Sequence, residues 1–516
     1  MSRKENRTAR RPTLSLSMIV KNEEKFLAGC LESVRGIVDE IVIVDTGSTD
    51  GSKRIAEDFG ARLFDFEWIG DFSAARNFSL RQCTGDWILY LDADERLKEN
   101  QATLIRRAIS VHDVGAYTVV IESPHSLRQG NFKQENSYPR LFRRLPGVEF
   151  EGKVHEQVWP SLMRQKITVR QSELVIRHLG YNQGYDVVKQ KAERNLSLLR
   201  AQLAENPDDG YAQFQIGNTL VVLQRYEEAR PELERAIANE KLHSSNRASC
   251  YNLLAEVEVR SNNLKAAIER CRQSLQIAPK QMMAHWFLSL LYSDLGDHEN
   301  AIRAVRMVEQ LVHQPSPQRT QQIASDLDVS HADIVKRYAQ VYERAGRYDE
   351  ALERYTYLLE HDAGLDEAAA GFLRCVEKAD DARLAIRKLL RASNKLAARK
   401  ELFLPLAYHC RKLNDQTTAF QLVDKALVAD PTDGRVYALA VQWMMEANQP
   451  EEAGRMLAAA ESRGIRFFEL HKAGIQLALR NGDLHEAFRQ LELMSQTTDA
   501  DLTPLKSRIE ALRSRL

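Results

Sequence analysis

The sequence lacks an excess of charge of either sign. Lysine plus arginine and aspartate plus glutamate both total 72, so the formal net charge is zero. Such a chain has no global field that would draw it to nucleic acid or to an anionic membrane surface. Any phosphate group that the protein binds must therefore be held by a local cluster of side chains.

Cysteine pairs and long apolar runs are also missing. The six cysteines are scattered, without CxxC or metal-ligand spacing, which favours buried thiols in a reducing compartment. The basic tail of residues 1–12 resembles the start of a signal peptide, but the apolar run that follows at 14–20 is too short for a spanning helix and has no cleavage site. We therefore expect a cytoplasmic protein without a transmembrane segment.

Two types of pattern divide the chain near residue 185. At 516 residues, the chain exceeds what a single hydrophobic core usually organises, which predicts two or more domains. Before residue 185, helical patterns alternate with five short apolar runs, at 14–20, 41–45, 61–66, 87–92 and 116–122. This alternation predicts an α/β domain over residues 13–185 with a largely parallel sheet covered by helices.

The second half is helical and repeats. From Ala351 to Ala487, an alanine recurs at a constant step of 34 residues, a period typical of tetratricopeptide-like helical hairpins. Small residues such as Gly217 stand at the matching position of the partner helices, where they allow two helices to approach closely. We expect a linker helix over 186–209, then eight hairpins within 210–516, with an insertion near 311–327.

The stretch WILYLDADERL (87–97) carries an apolar strand into a cluster of carboxylates. In an extended segment, Asp92 and Asp94 project to the same side, at the carboxyl end of a strand, where ligand sites of open α/β sheets form. Paired carboxylates there suit Mg²⁺ or Mn²⁺, and either cation would bind a diphosphate in turn. Alone, an Asp-x-Asp pair is weak evidence for a metal site, because a solvated turn or a helix cap explains such a pair more often.

Three further segments accompany this pair: KNEE (21–24), DTGSTDGS (45–52) and SAARN (73–77). Together with LDADE, the series resembles glycosyltransferase family 2 in order and spacing across about the first hundred residues. The fusion to helical repeats is similar to a bacterial branch of that family, which includes peptide S-glycosyltransferases. The resemblance implies a GT-A fold, a divalent cation (Mg²⁺ or Mn²⁺) at a DXD motif, and inverting sugar transfer from a nucleotide sugar, a UDP-sugar in particular.

The resemblance also implies roles in donor binding for individual residues. Asp45 aligns with the aspartate that recognises the base, although Thr46 stands where a second aspartate is commoner. Asp92 would bind the ribose and Asp94 the metal. Arg76 of SAARN would contact base or phosphate.

Other residues of the same motifs have two interpretations each. Asn22 and Glu23 are assigned to the nucleotide sugar, but a helix start explains the pair equally well, because Asn caps helices and acidic residues favour the first turn. Asn77 would contact the donor or hold a loop. Glu95 would support the metal site from behind or simply be exposed.

The acceptor side is represented by the segment that ends in GKVHEQV. Inverting transfer needs a base that takes the proton from the acceptor, and we predict Glu156 for this role, with a structural ion pair as the alternative. His155 is a candidate for contact with diphosphate or metal, and His178 for a third metal ligand. Arg140 and Arg143 would offset phosphate charge.

Three other classes of protein are alternatives to a transferase. A nucleotidyltransferase would have a basic, glycine-rich loop where KNEE stands, and a glycosidase has no need of nucleotide-binding motifs. A repeat-based scaffold with a degenerate catalytic domain would have lost the acidic cluster, which is intact. We therefore expect a glycosyltransferase whose repeats bind a peptide, protein or glycan acceptor, or else mediate assembly into a homo-oligomer.

Overall fold

The computed structural model describes residues 10–124, 133–179, 185–314, 323, 325–361, 365–391, 400–498 and 500–513. The chain forms two compact units, Met1–Ile334 and Val335–Leu516. The first unit holds a mixed α/β sheet domain followed by helical hairpins, and the second is helical throughout its described part. The predicted fold class, an α/β domain followed by an all-α repeat region, is confirmed.

Nine strands of the described chain form one sheet. They are β1 (Leu14–Val20), β2 (Glu40–Asp45), β3 (Arg62–Asp65), β4 (Trp87–Tyr90), β5 (Glu95–Leu97), β6 (Ala116–Pro124), β7 (Lys133–Arg143), β8 (Val169–His178) and β9 (Ser325–Asp328). Their order is β3-β2-β1-β4-β7-β6-β8-β5, and β9 pairs with β7.

The prediction of a largely parallel sheet is correct for the first half of the domain and only in part for the second half, where β6 and β8 are parallel. Strands β1 to β4 are parallel to one another, whereas β7 runs antiparallel to β4, β6 and β9. Strand β5 is likewise antiparallel to β8. Antiparallel neighbours can be joined by short connections, so the antiparallel pairs among these strands need no crossover helix.

Five helices accompany the sheet: α1 (Glu24–Ser33), α2 (Ser52–Asp58), α3 (Phe72–Gln82), α4 (Ala102–Ile109) and α5 (Trp159–Arg164). Helix α1 turns Leu27 and Leu31 into the core formed by alternate residues of β1. On the other face of β1, the Ser17 and Ser79 hydroxyls lie 2.8 Å apart, which joins the strand to α3. Because β1 is covered on both faces, ligands reach this part of the sheet at its strand ends.

The first unit continues with α6 (Tyr185–Glu205) and three helical hairpins. These are α7 (Gly210–Val222) with α8 (Tyr226–Ala238), α9 (Ser244–Arg260) with α10 (Leu264–Ile277), and α11 (Met282–Asp294) with α12 (His298–Val312). Their close packing needs small residues: a Cβ on Gly217 would lie 2.5 Å from Leu233 Cδ2. The repeat alanines Ala229, Ala267 and Ala301 are fully buried.

The remaining helices are α13 (His331–Arg344), α14 (Tyr348–Glu360), α15 (Leu365–Lys378), α16 (Arg383–Arg391), α17 (Lys400–Lys412), α18 (Gln416–Ala429), α19 (Gly434–Glu446), α20 (Pro450–Ser462), α21 (Phe468–Arg480), α22 (Leu484–Ser495) and α23 (Thr503–Arg513). Helices α7 to α22 fall where the eight hairpins were predicted. At α16 the buried alanine is not the one predicted from the repeat. Ala385, at the repeat position, is only half-buried, whereas Ala382, just before the helix, is buried. Along the described ranges, no helix combines the length and the apolarity needed to cross a membrane.

Part of the predicted insertion is a strand. Residues 315–322 and 324 lie outside the described chain, but Ser325–Asp328 forms β9 against Lys133–Asn136 of β7. The fully buried Asp326 carboxylate accepts the backbone N–H of Met282 at 3.0 Å and of Met283 at 2.8 Å. This segment therefore connects the sheet to the start of α11 within the first unit.

Candidate active site

A cavity of about 520 Å³ lies at the edge of the sheet where the parallel strands end. Strands β1, β2 and β4 run in the same direction, so their carboxyl ends open onto one side of the domain. The cavity is lined by eight of the residues predicted from sequence, namely Glu23, Arg76, Asp92, Asp94, Arg140, His155, Glu156 and His178. Thus residues from several separate motifs meet in one place.

The acidic residues after β4 form a turn. The prediction that Asp92 and Asp94 lie on an extended segment is therefore wrong. Strand β4 ends at Tyr90, and the backbone N–H of Glu95 donates to Asp92 O at 3.0 Å. In return, Glu95 Oε2 accepts the Asp92 backbone N–H at 2.8 Å. Glu95 is therefore held inside the turn with 2% exposure, and the interpretation as a merely exposed residue is wrong for it.

Two buried arginines neutralise the carboxylates. Arg76 Nη2 lies 2.6 Å from Asp92 Oδ1, and its Nε pairs with Glu156. Arg140 Nη2 lies 2.8 Å from Glu95 Oε1 and 3.5 Å from Asp92 Oδ2. Charges removed from water in this way need close partners of opposite sign. The carboxylates of Asp92, Glu95 and Glu156 can lie close together because each has an arginine guanidinium group beside it.

These arginines also fix the ionisation of Asp92. Burial raises the pKa of Asp92, but the charges of Arg76 and Arg140 outweigh it and hold that pKa well below its ordinary value. Both guanidinium groups stack on Tyr90, at 5.1 and 4.2 Å from the ring centroid, where the cation–π contact adds to their attachment. Asp92 is thus a fixed negative charge at the cavity.

The pair that best fits a divalent cation is Asp94 with His178. His178 Nε2 lies 3.1 Å from Asp94 Oδ2, because β5 and β8 pair Glu95 opposite His178. Burial lowers the pKa of His178, but the hydrogen bond and charge of Asp94 outweigh it and raise that pKa above its ordinary value. One carboxylate and one imidazole at a cavity wall form a donor set that Mn²⁺ accepts.

The four predicted metal residues do not form one cluster. Within the described ranges, no three His, Cys, Asp or Glu side chains converge as a metal site. Asp92 faces the arginines, and His155 lines the same cavity with Glu156 and Arg194 as the charges that act on it. Burial lowers the pKa of His155, so its ring is neutral near pH 7.

The residues after β1 connect two motif loops. Asn22 has a left-handed backbone, with φ of 57°, and its Oδ1 accepts the Thr49 backbone N–H at 2.7 Å. The Glu23 backbone N–H donates to Ser52 Oγ at 2.8 Å. Helix α1 starts at Glu24 without a side-chain cap from Glu23, so capping does not describe this pair. Burial, together with the charge of Asp94, raises the pKa of Glu23 to about 7.

Asp45 ends β2 as a fully buried carboxylate. Its Oδ1 accepts the backbone N–H groups of Gly47 at 2.9 Å and Ser48 at 2.8 Å. Its Oδ2 is buried without a hydrogen-bond partner in the described chain, and such an orphaned acceptor fits an N–H of a ligand. Thr46, the next residue, lines the cavity directly.

Sequence reasoning also missed residues and misplaced others. Arg143 donates to the backbone carbonyls of Val111 and Val114, both at 2.9 Å, which leaves no support for a contact with phosphate. Asn77 holds a loop, through two hydrogen bonds with the backbone of Phe150. Five of the missed lining residues come from α6 and α7: Lys191, Arg194, Asn195, Tyr211 and Gln215. No motif marks them, since only tertiary packing brings these helices to the cavity.

Comparison with known proteins agrees with this geometry. Residues 15–169 match the model of glycosyl transferase family 2, and residues 214–281 match a tetratricopeptide repeat. A TPR repeat-containing protein of Synechococcus elongatus is 36% identical over 305 residues, which cover 57% of this chain and 74% of that protein. The chain therefore belongs to a family of tetratricopeptide repeat-containing proteins, and it carries a glycosyl transferase family 2 domain at residues 15–169.

Two named enzymes are further relatives. The SPbeta prophage-derived glycosyltransferase SunS of Bacillus subtilis is 30% identical over 239 residues, 46% of this chain and 56% of SunS. The lipopolysaccharide core biosynthesis glycosyltransferase LpsC of Rhizobium meliloti is 32% identical over 158 residues, 29% of this chain and 57% of LpsC. The chain thus spans little more than half the length of each. These relatives support sugar transfer as the general activity.

Proposed function

We propose that the protein transfers a sugar from a UDP-sugar to a peptide, protein or glycan acceptor, with inversion at the anomeric carbon. The observation that carries this proposal is the meeting of Glu23, Arg76, Asp92, Asp94 and Glu156 around one cavity at the strand ends. These residues come from four separate motifs. A scaffold with a decayed catalytic domain would have no reason to keep these side chains together around one cavity.

In this proposal the donor lies across the ends of β1, β2 and β4. Asp45 Oδ2, which lacks a partner in the described chain, would accept an N–H of the base. Asp92 would hold the ribose while Arg76 keeps it ionised. A divalent cation, Mg²⁺ or Mn²⁺, held by Asp94 and His178 would stabilise negative charge on the leaving diphosphate.

Glu156 is the proposed base of the transfer. Its carboxylate has 10% side-chain exposure and is oriented by Arg76 Nε. The acceptor's O–H or S–H would give its proton to Glu156 as its oxygen or sulfur bonds to the anomeric carbon. The bond from that carbon to the diphosphate oxygen breaks, and the electron pair leaves with the nucleoside diphosphate. A thiol acceptor ionises more readily than a hydroxyl and would need less help.

The repeat region is proposed to bind the acceptor, since tetratricopeptide arrays present extended surfaces for peptides. Self-assembly through the same region is the alternative. A panel of UDP-sugars, assayed for Mn²⁺-dependent release of UDP, tests the reaction class and the donor together. We expect the protein to release UDP from at least one UDP-sugar in the presence of Mn²⁺. A failure of every nucleotide sugar to bind or react, with Mg²⁺ or Mn²⁺ present, would contradict the proposal.

A further inference from the structure

The helices that follow the α/β domain form part of the cavity wall. Helix α6 contributes Lys191, Arg194 and Asn195, and helix α7 contributes Tyr211 and Gln215. Helix α7 is the first helix of the first hairpin. The repeat region is therefore part of the site itself.

Tyr211 and Gln215 form a fixed polar group on this wall. They are four residues apart on α7 and so share one face of the helix. The Tyr211 hydroxyl accepts Gln157 Nε2 at 2.9 Å and Gln215 Nε2 at 2.8 Å. Because Gln157 directly follows Glu156, this group lies beside the proposed base. Burial raises the pKa of Tyr211 well above its ordinary value, so its hydroxyl keeps a hydrogen to donate.

Gln215 supplies an unused acceptor. Its side chain is only 6% exposed, and its Oε1 is buried without a hydrogen-bond partner in the described chain. A buried carbonyl in this state is disfavoured unless a donor reaches it. Since Gln215 lines the cavity, a ligand inside the cavity can supply that donor.

We propose that Gln215 and Tyr211 bind a hydroxyl group of the donor's sugar, so that the first helical hairpin determines which sugar is transferred. This inference rests on the proposed function and adds the sugar subsite to it. A hydroxyl both donates and accepts, and it matches the free Gln215 Oε1 acceptor and the Tyr211 hydroxyl donor. The sugar is the part of the substrates that must be enclosed beside the base, whereas a polymeric acceptor enters from outside.

The test compares full-length wild type with Gln215→Leu and Tyr211→Phe. Gln213→Leu is the matched control, since Gln213 is half-buried on the same helix and does not line the cavity. The probes are UDP-glucose, UDP-galactose and UDP-N-acetylglucosamine, followed by the monodeoxy analogues of whichever reacts fastest. The readouts are kcat/KM for UDP release and, by calorimetry, the affinity for UDP alone.

In the wild type, we expect one deoxy analogue to react at least a hundredfold more slowly than its parent sugar, because loss of that hydroxyl leaves buried polar groups unpaired. In Gln215→Leu this preference should fall at least tenfold, and in Tyr211→Phe it should fall in the same direction. The affinity for UDP should stay within twofold of wild type in all variants, which also shows that they fold.

Two results would overturn the inference. If both variants keep the wild-type preference among deoxy sugars while UDP binding is unchanged, the hairpin does not recognise the sugar. A fall in kcat/KM by the same factor for the parent sugar and for every deoxy analogue would show that the group does not distinguish sugar hydroxyls, and would equally overturn the inference. If the wild type neither binds nor turns over any UDP-sugar, the proposed function itself is wrong, and the sugar subsite with it.

Discussion

Removing the Arg76 guanidinium should destabilise the first unit measurably. Arg76 has 8% side-chain exposure and pairs with Asp92 and Glu156, whose side chains are 36% and 10% exposed. Loss of one partner from a buried ion pair costs roughly 3–5 kcal/mol. The Asp92 contact must be discounted because water screens a carboxylate with that exposure. We therefore expect about 3 kcal/mol for Arg76→Met at pH 7.

Scanning calorimetry measures this change without assuming that both units unfold together. At about 1.4 °C per kcal/mol for a unit of about 330 residues, the transition of the first unit should fall by roughly 4 °C. Arg81→Met, an exposed arginine on the same helix, should change the free energy of unfolding by less than about 0.5 kcal/mol. An Arg76→Met transition within 1 °C of wild type would refute the account of charge neutralisation.

The loss of stability in Arg76→Met should also depend on pH, in a direction set by the pKa of Asp92. The pKa of Asp92 is lower in the folded protein than its ordinary value, so its ion pair stabilises the fold above the unfolded pKa of about 3.9. That contribution is lost as the pH falls through the folded pKa. The difference between Arg76→Met and wild type should therefore shrink between pH 7 and pH 3. A difference that grows on acidification would contradict the assignment of Asp92 as the charged partner.

Three further predictions concern the donor site and the repeats. Asp94→Asn should abolish Mn²⁺-dependent UDP release without lowering the melting temperature by more than about 2 °C, and full activity would exclude Asp94 as the metal ligand. Asp45→Ala should weaken UDP binding at least tenfold, about 1.4 kcal/mol, by calorimetry, while unchanged affinity would exclude its role in base recognition. A protein truncated to residues 1–330 should keep slow hydrolysis of the donor and lose transfer to the acceptor. A protein truncated to residues 1–324 should in addition have a lower melting temperature, because it lacks β9. Equal melting temperatures for the two truncations would show that β9 adds no stability, and undiminished transfer by 1–330 would exclude acceptor binding by the second unit.

Local sequence carried enough information to place the strand-end residues. Asp45, Asp92 and Asp94 lie at or just after the ends of apolar runs, and the geometry of parallel strands brings such positions to one edge. The turn at Asp92 was not predictable in the same way. It is stabilised by the Glu95 side chain and by Arg140, and Arg140 lies on β7, far along the chain.

The residues that sequence reasoning missed depend on contacts between distant segments. Tyr211 and Gln215 occupy ordinary positions of a repeat helix, and only the packing of α6 and α7 beside the domain brings them to the cavity. Strand β9 lies in a stretch that reads as a polar loop, because its pairing with β7 is specified by the partner strand more than by its own composition. Asp326 likewise caps a helix that begins more than forty residues earlier.

The late position of β9 has a consequence for synthesis in the cell. The ribosome completes β7 at Arg143 but reaches Ser325 only after three helical hairpins have emerged, roughly 10 to 40 s later at about 5–20 residues per second. Until then residues 133–136 of β7 lack the partner strand that β9 later provides, and unpaired backbone groups of this kind form a surface on which strands of other chains can add. The nascent enzyme is therefore most exposed to misassembly while its first repeats are being made, and β9 closes that edge when it arrives.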